Sequence, residues 1–290
     1  MQILNFGSIN IDHVFFVEHF VRPGETLASM DYQKFAGGKG FNQSIALAQA
    51  GAKVFHAGKI GHDGVWLLNR LGQCGVDTSL IQTVDTPTGQ GIIQVNREGE
   101  NAIILFGGAN RKITEENAVK VISKFKPGDY LLLQNEISAI QEIMKLATEK
   151  GLRIIMNPAP MSPEVQSYPL DTVEIFILNE IEGRDLTGET EFGQICRSMT
   201  NRFPKALTIL TVGDQGVWFA ESDRLLHVKG EKVKPIDTTA AGDTFIGYFI
   251  AEYTRGNDLE LAVRFANRAA AICVTRPGAA DSIPKRVDVT

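Results

Sequence analysis

Cysteine is scarce in this chain and basic charge is in deficit, and each shortage removes a class of function. Cys74, Cys196 and Cys273 are odd in number, widely spaced and free of any CxxC pair. Neither a disulfide framework nor a zinc cluster is expected, and a reducing compartment suits them. Lysine and arginine number 29 against 34 aspartates and glutamates, a net charge of −5, which offers no general attraction to nucleic acid or to an anionic membrane. No apolar run approaches the length of a bilayer span, and Met1 leads at once into QILNFGS, with no basic stretch followed by a long apolar one. The expectation is a cytoplasmic protein, neither exported nor embedded, whose partners are small polar molecules.

Common catalytic signatures are missing as well. The histidines at 13, 19, 56, 62 and 227 never fall at HExxH spacing, and no GxSxG elbow occurs. The stretch GGKG at Gly37 to Gly40 resembles a phosphate loop but fails both common templates. A Walker loop needs Ser or Thr after the lysine and a glycine five positions before Gly38, where this chain has Gly40 and Gln33. A dinucleotide fingerprint fails because Gln43 stands where its third glycine belongs.

What is present is an alternation. Apolar runs of strand length recur at QILNF, KVFHAG, YLLLQ, RIIMN, EIFILN and ALTILTV, most of them followed by a helical pattern such as FNQSIALAQA. Strands alternating with helices predict a parallel sheet covered on both faces, and 290 residues without a repeat or long linker predict a single domain over 1–290. Two stretches break the rhythm: HVFFV near the start, and GQGIIQV joined to NAIILF through NREGE, which reads as an antiparallel hairpin. These predict a small secondary sheet laid over the main one.

In the last third, TFIGYFIAEYTRG places Phe245, Tyr248, Phe249 and Glu252 at the spacing of a helix with one apolar side, so Asp243 falls in its first turn. The closing helix DLELAVRFANRAAAICVTR is alanine-rich, as close helix packing requires. In DTTAAGDTF, Asp237 to Phe245, small residues precede Asp243 at that helix start. Unpaired N–H groups and the positive end of the helix dipole suit an external anion there, and the aspartate either caps the helix or acts on the guest.

DTTAAGDTF, GGKGFNQS, the opening GSINIDH and the tetrad NEIE at Asn179 to Glu182 together resemble the ribokinase family of sugar kinases, with motifs in matching order from about residue 5 to about residue 284. The resemblance implies a three-layer α/β/α sandwich with a mostly parallel sheet and a small β lid, drawn from about residues 12–35 and 88–107, that closes over the sugar. It implies transfer of phosphate from ATP to a hydroxymethyl group, with Asp243 as base and the amides of Ala240, Ala241 and Gly242 as anion hole. Asn10, Asp12, Gly38, Lys39, Asn42 and Glu136 match the sugar-binding positions, and Thr211, Gly213, Gly216, Asn179 and Asn267 the nucleotide side. Asn179 and Glu182 match the motif that positions Mg2+ through water. Read alone, their NxxE spacing is a helix cap. A K+ site is implied at Asp237, Thr239, Cys273, Arg276, Gly278 and Ser282, mostly through main-chain oxygens. A homodimer through the lid is a further implication.

Ribose is the leading acceptor, ahead of another pentose, a ketohexose or a nucleoside. Four residues depart from the family's ribose-specific members: Ile104 and Phe106 in the hairpin, Phe41 after GGKG, and Ile246 after DTF. A non-catalytic sugar sensor would be free to lose the base or the anion hole, and both are retained. A nicotinamide dehydrogenase would need the glycine fingerprint that is missing.

Overall fold

A computed structural model describes residues 1–290. Along the chain run β1 (Ile3–Phe6), β2 (Asn10–Phe16), β3 (Asp31–Gly37), β4 (Val54–Gly61), β5 (Asp77–Val84), β6 (Gly89–Val95) and β7 (Asn101–Phe106). They are followed by β8 (Tyr130–Gln134), β9 (Arg153–Asn157), β10 (Val173–Asn179), β11 (Leu207–Thr211), β12 (Val217–Glu221) and β13 (Arg224–Val228). Nine strands form the large sheet, in the order β13-β12-β11-β10-β9-β8-β1-β4-β5, and the other four form the small one, β3-β2-β6-β7. Every pairing in the large sheet is parallel except β11 with β12 and β12 with β13.

Helices cover both faces of the large sheet because successive strand residues point to opposite sides. On one side pack α1 (Lys39–Gln49), α2 (Val65–Gln73), α7 (Ala241–Thr254) and α8 (Leu259–Cys273), against Leu132, Ile155, Ile175 and Ile209. On the other pack α3 (Glu115–Ile122), α4 (Ile140–Lys150), α5 (Glu180–Thr187) and α6 (Phe192–Arg202), against Leu131, Leu133, Met156, Phe176 and Leu210. The result is the three-layer sandwich, with one core on each side of the sheet.

Three strands carry weaker signals than the apolar runs. β5, DTSLIQTV, is a polar edge strand, and β12 with β13 forms an antiparallel hairpin that ends the sheet. Helix α7 also corrects an expectation. It is buried on every side from Asp243 to Glu252, rather than apolar on one. It lies between α1 and α8, and Glu252 is neutralised by Arg255 and Arg286. The alanine-rich helix is not the last, because a single turn, α9 (Arg286–Val289), follows it.

The contact of α7 with α1 is unusually close. A Cβ on Gly247 would lie 2.4 Å from the Ala46 Cβ and 2.6 Å from the Leu47 amide nitrogen. One turn earlier on each helix, Asp243 therefore faces Asn42 and Gln43. The start of α1 is pinned in the same way, since a Cβ on Gly40 would lie 2.4 Å from the Ser8 nitrogen just beyond β1.

Candidate active site

From β1 the chain winds outward through β4 to β5, then returns to β8 on the other side of β1 and winds the opposite way. Open α/β sheets hold ligands at such a reversal, outside the carboxyl ends of the strands. Two side chains meet across it here: Ser8, beyond β1, donates its hydroxyl to Glu136, beyond β8. The same Glu136 carboxylate accepts the backbone N–H of Lys39 at 3.0 Å and so sits on the first turn of α1.

The carboxyl ends of β9, β10 and β11 extend the crevice into a cleft of about 260 Å³, whose walls include Asn157, Asn179, Glu182, Thr211, Lys39 and the segment from Ala240 to Asp243. Asp243 accepts an amide N–H from Asn42 at 3.0 Å and another from Gln43 at 2.8 Å. Ala240 is left-handed, with φ of 61°, and starts α7 without a side-chain cap. The backbone N–H groups of Gly242 and Asp243 have no acceptor within the chain and open on the cleft. Asn179 and Glu182 form the capping box of α5, each accepting from the other's backbone N–H. They also line the cleft, so the cap and the site are the same pair of side chains.

Charge converges on Lys39. Burial would depress its ammonium, but Asp243, Glu136 and Glu182 outweigh that and hold it above the ordinary lysine value. Burial raises the Glu182 carboxyl, against the stabilising Asn179 amide and Lys39. On the small sheet, Asp12 occupies a space that Gly37 and Gly91 leave free, as a Cβ on either would overlap its carboxylate. Burial, aided by Glu136, pushes Asp12 from 3.8 to about 7, and no side chain or amide donates to it. Asn10, two residues earlier, accepts from Asn110 at 2.7 Å.

The strand register decides which hairpin residues share the Asp12 face. Asp12 pairs with Gly91, and Gly91 with Leu105, so Leu105 and Ile103 lie on the Asp12 face. Ile104 and Phe106 lie on the opposite face and are 65% and 50% exposed.

A second, larger cleft of about 560 Å³ adjoins the first at Thr238 and Ala241, walled by Gly213, the segment from Lys229 to Val233, and Asn267 on α8. Gly216 closes this turn at a φ of 99°, where a Cβ would lie 2.1 Å from the Val228 carbonyl oxygen. Behind the start of α7, Asp237 accepts the N–H groups of Thr239 and Gly278, both at 2.9 Å, and Cys273 meets Ser282 at 3.0 Å. The Arg276 side chain turns away to Asp288, leaving only its main chain near that loop pair.

Sequence reasoning missed Ser8, Gln43, Asn110, Gln134 and Asn157. A signal for two of them exists: Gln134 and Asn157 are single amides that follow directly on a buried apolar run at the end of a strand, as Asn179 does on β10. A polar residue at the carboxyl end of a buried parallel strand faces the crevice rather than the core.

The pfkB carbohydrate kinase family model matches residues 2–286. The chain belongs to the pfkB family of carbohydrate kinases. It is 38% identical to the ribokinase of Haemophilus influenzae over 292 residues, 97% of this chain and 94% of that one. Among solved structures, the ribokinase of Cryptococcus neoformans in complex with ADP matches at a TM-score of 0.85 and 32% identity, covering 99% of this chain and 98% of that one. The ribokinase of Arabidopsis thaliana complexed with ribose and ATP matches at 0.87 and 29%, covering 99% and 96%. This pfkB kinase is thus a phosphotransferase that moves phosphate from ATP to a sugar hydroxyl.

The raised Asp12 carboxyl carries a stability consequence. A carboxyl that holds its proton more tightly folded than unfolded costs stability as pH rises from about 4 to about 7, and the full cost persists above 7. Asp12→Asn should therefore stabilise the ligand-free kinase at pH 8 by up to about 4 kcal/mol, read as a higher melting temperature, and change it little at pH 4. Thermal unfolding of both proteins at the two pH values checks this, and an equal or lower melting temperature at pH 8 refutes it.

Proposed function

We propose that the chain is a ribose kinase: it binds ribose between the small sheet and the end of β1, and transfers phosphate from ATP to the 5-hydroxyl. The observation that carries this reading is Asp243, clamped by two amides beside the free N–H groups that begin α7. A carboxylate next to an anion-binding helix start is what phosphoryl transfer to an alcohol requires. The carboxylate receives the hydroxyl proton while the free amides of Gly242 and Asp243 and the dipole stabilise charge on the transferring group; of the expected anion-hole amides, that of Ala241 already donates to the Thr238 carbonyl at 3.3 Å and would have to release it.

Asp12 is the main sugar acceptor in this scheme, because a carboxylate held without donors pairs well with two neighbouring hydroxyls. Asn10, Gly38, Lys39, Asn42 and Glu136 complete the sugar site. Asn42 has a buried Oδ1 without a donor, which a sugar hydroxyl would satisfy. Of the four departures from ribose-specific relatives, Ile104 and Phe106 lie on the face opposite Asp12 and Phe41 is buried in the core, while Ile246 lines the cleft beside Asp243 and is the one placed to affect the acceptor. ATP phosphates would lie along Asn179 and Thr211, and the base between Gly213, Gly216 and Asn267.

Glu182 suits Mg2+ only through water, since both its oxygens already accept from Asn179. An ion that keeps its hydration shell fits that arrangement and would neutralise phosphate charge. Asp237 suits K+: burial raises its carboxyl, but the Thr239 and Gly278 amides outweigh this and keep it ionised. Main-chain oxygens of Thr239, Cys273, Arg276, Gly278 and Ser282 would complete the shell, adding positive charge behind the anion hole.

A coupled assay of ADP release over pentoses, hexoses and nucleosides tests the acceptor, with ribose expected to give the highest kcat/KM. The same assay in K+ should exceed that in an equal concentration of a bulky inert cation at constant Mg2+. A nucleoside preferred over ribose, or equal rates in the two cations, would overturn the corresponding part. The outward face of the small sheet, with Ile104, Phe106, Phe15 and Tyr32, we assign to a second copy of this chain. Phe106→Asp should then shift sedimentation from dimer to monomer, and a wild-type protein that sediments as a monomer refutes it.

A further inference from the structure

We propose that Gln43 is a positioning residue that fixes the orientation of the Asp243 carboxylate, and that its own orientation is imposed by a buried chain of side chains ending at two backbone carbonyls. The inference rests on the reading of Asp243 as the base.

The direction of each hydrogen bond in the chain follows from the one before it. The Gly7 carbonyl can only accept, so His56 Nε2–H donates to it, at 3.2 Å. That leaves His56 Nδ1 to accept from the Ser44 hydroxyl at 2.7 Å, with the ring unprotonated because burial lowers it to about 4. Ser44 Oγ then accepts from Asn5 Nδ2 at 2.8 Å. The Gly40 carbonyl fixes the same Asn5 amide independently, accepting from Nδ2 at 2.7 Å. Asn5 Oδ1 must therefore face Gln134, which donates from Nε2 at 2.9 Å and gives its other hydrogen to Gln43 Oε1 at 2.7 Å. Only the N–H side of Gln43 is left for the site, and it reaches Asp243 at 2.8 Å and Asn157 at 3.2 Å.

The chain keeps this polarity although Gln134 Oε1 is left buried without a donor. Turning the Gln134 amide over would oppose oxygens at both Asn5 and Gln43. Asn5, Gln43, Ser44, His56 and Gln134 are wholly buried, so water does not compete for these bonds. The other donor to Asp243, Asn42, belongs to the sugar site of the proposed function and is free to exchange its partner when sugar arrives. Gln43 has no such second use and holds the carboxylate in both states.

The test compares Gln43→Leu, Asp243→Asn and the double variant, using ribose and ATP. Gln43→Leu should lower kcat by roughly 10- to 100-fold, the range expected when a reacting group is misplaced by about 1 Å, with both KM values within about threefold. In the Asp243→Asn background the same substitution should change kcat less than about twofold, because a residue acting through the base has nothing left to position. If Gln43→Leu does not fold, Gln134→Leu frees the Gln43 amide to turn and should give the same kcat-specific loss, smaller in size. Near-wild-type turnover in Asp243→Asn sinks the base reading itself. An inactive Asp243→Asn together with unchanged kcat in the glutamine variant, or a loss that persists undiminished in the double variant, sinks the positioning role alone.

Discussion

The distance between α1 and α7 sets the geometry of everything at the catalytic end. No side chain stands at Gly247, so α7 rests directly on the backbone of α1 at Ala46 and Leu47. One turn toward the start of each helix, that spacing brings Asp243 within hydrogen-bond reach of Asn42 and Gln43. The start of α1 is itself fixed against the end of β1 through Gly40. The two helix starts thus converge at the point where the strand order reverses, and Lys39, Glu182 and Asp243 are mounted on helices and Asp12 on a strand, with Glu136 in the turn after β8.

Such an arrangement is electrostatically costly. Glu136, Glu182 and Asp243 crowd around the single ammonium of Lys39, Asp12 feels the charge of the same Glu136, and burial raises the Asp12 and Glu182 carboxyls above their ordinary values. A folded protein with no ligand would be more stable without some of them. Their placement makes sense if the hydroxyls of a polyol and cations supply the missing partners, so strain in the free protein is relieved on binding. Gly37 and Gly91 reinforce the point, since both keep space clear for the Asp12 carboxylate.

Much of this was legible in the sequence. The six apolar runs are β1, β4, β8, β9, β10 and β11, because buried parallel strands are apolar on both faces. β5 carries no such signal because an edge strand needs no apolar run, and the pattern of α7 suggests one apolar side because its polar residues, Asp243 and Glu252, are buried with partners rather than solvated. Asn179 with Glu182 read equally as a cap or a ligand site, and the fold makes the pair both. The amide chain behind Asp243 was illegible: Asn5, Gln43, His56 and Gln134 are spread over 130 residues and only the sheet brings them together. The outward turn of Ile104 and Phe106 likewise depends on register, which a sequence pattern of consecutive apolar residues does not fix.

If the α1–α7 spacing governs catalysis, adding one methyl group at the contact should separate the base from its clamps without touching any polar residue. The direct measurement is the turnover of Gly247→Ala with saturating ribose and ATP, on protein shown by near-UV circular dichroism to be folded. Overpacking should lower stability by about 1–3 kcal/mol. Beyond that, kcat should fall by at least about tenfold while both KM values stay nearly constant. A folded Gly247→Ala protein with wild-type turnover would contradict the account.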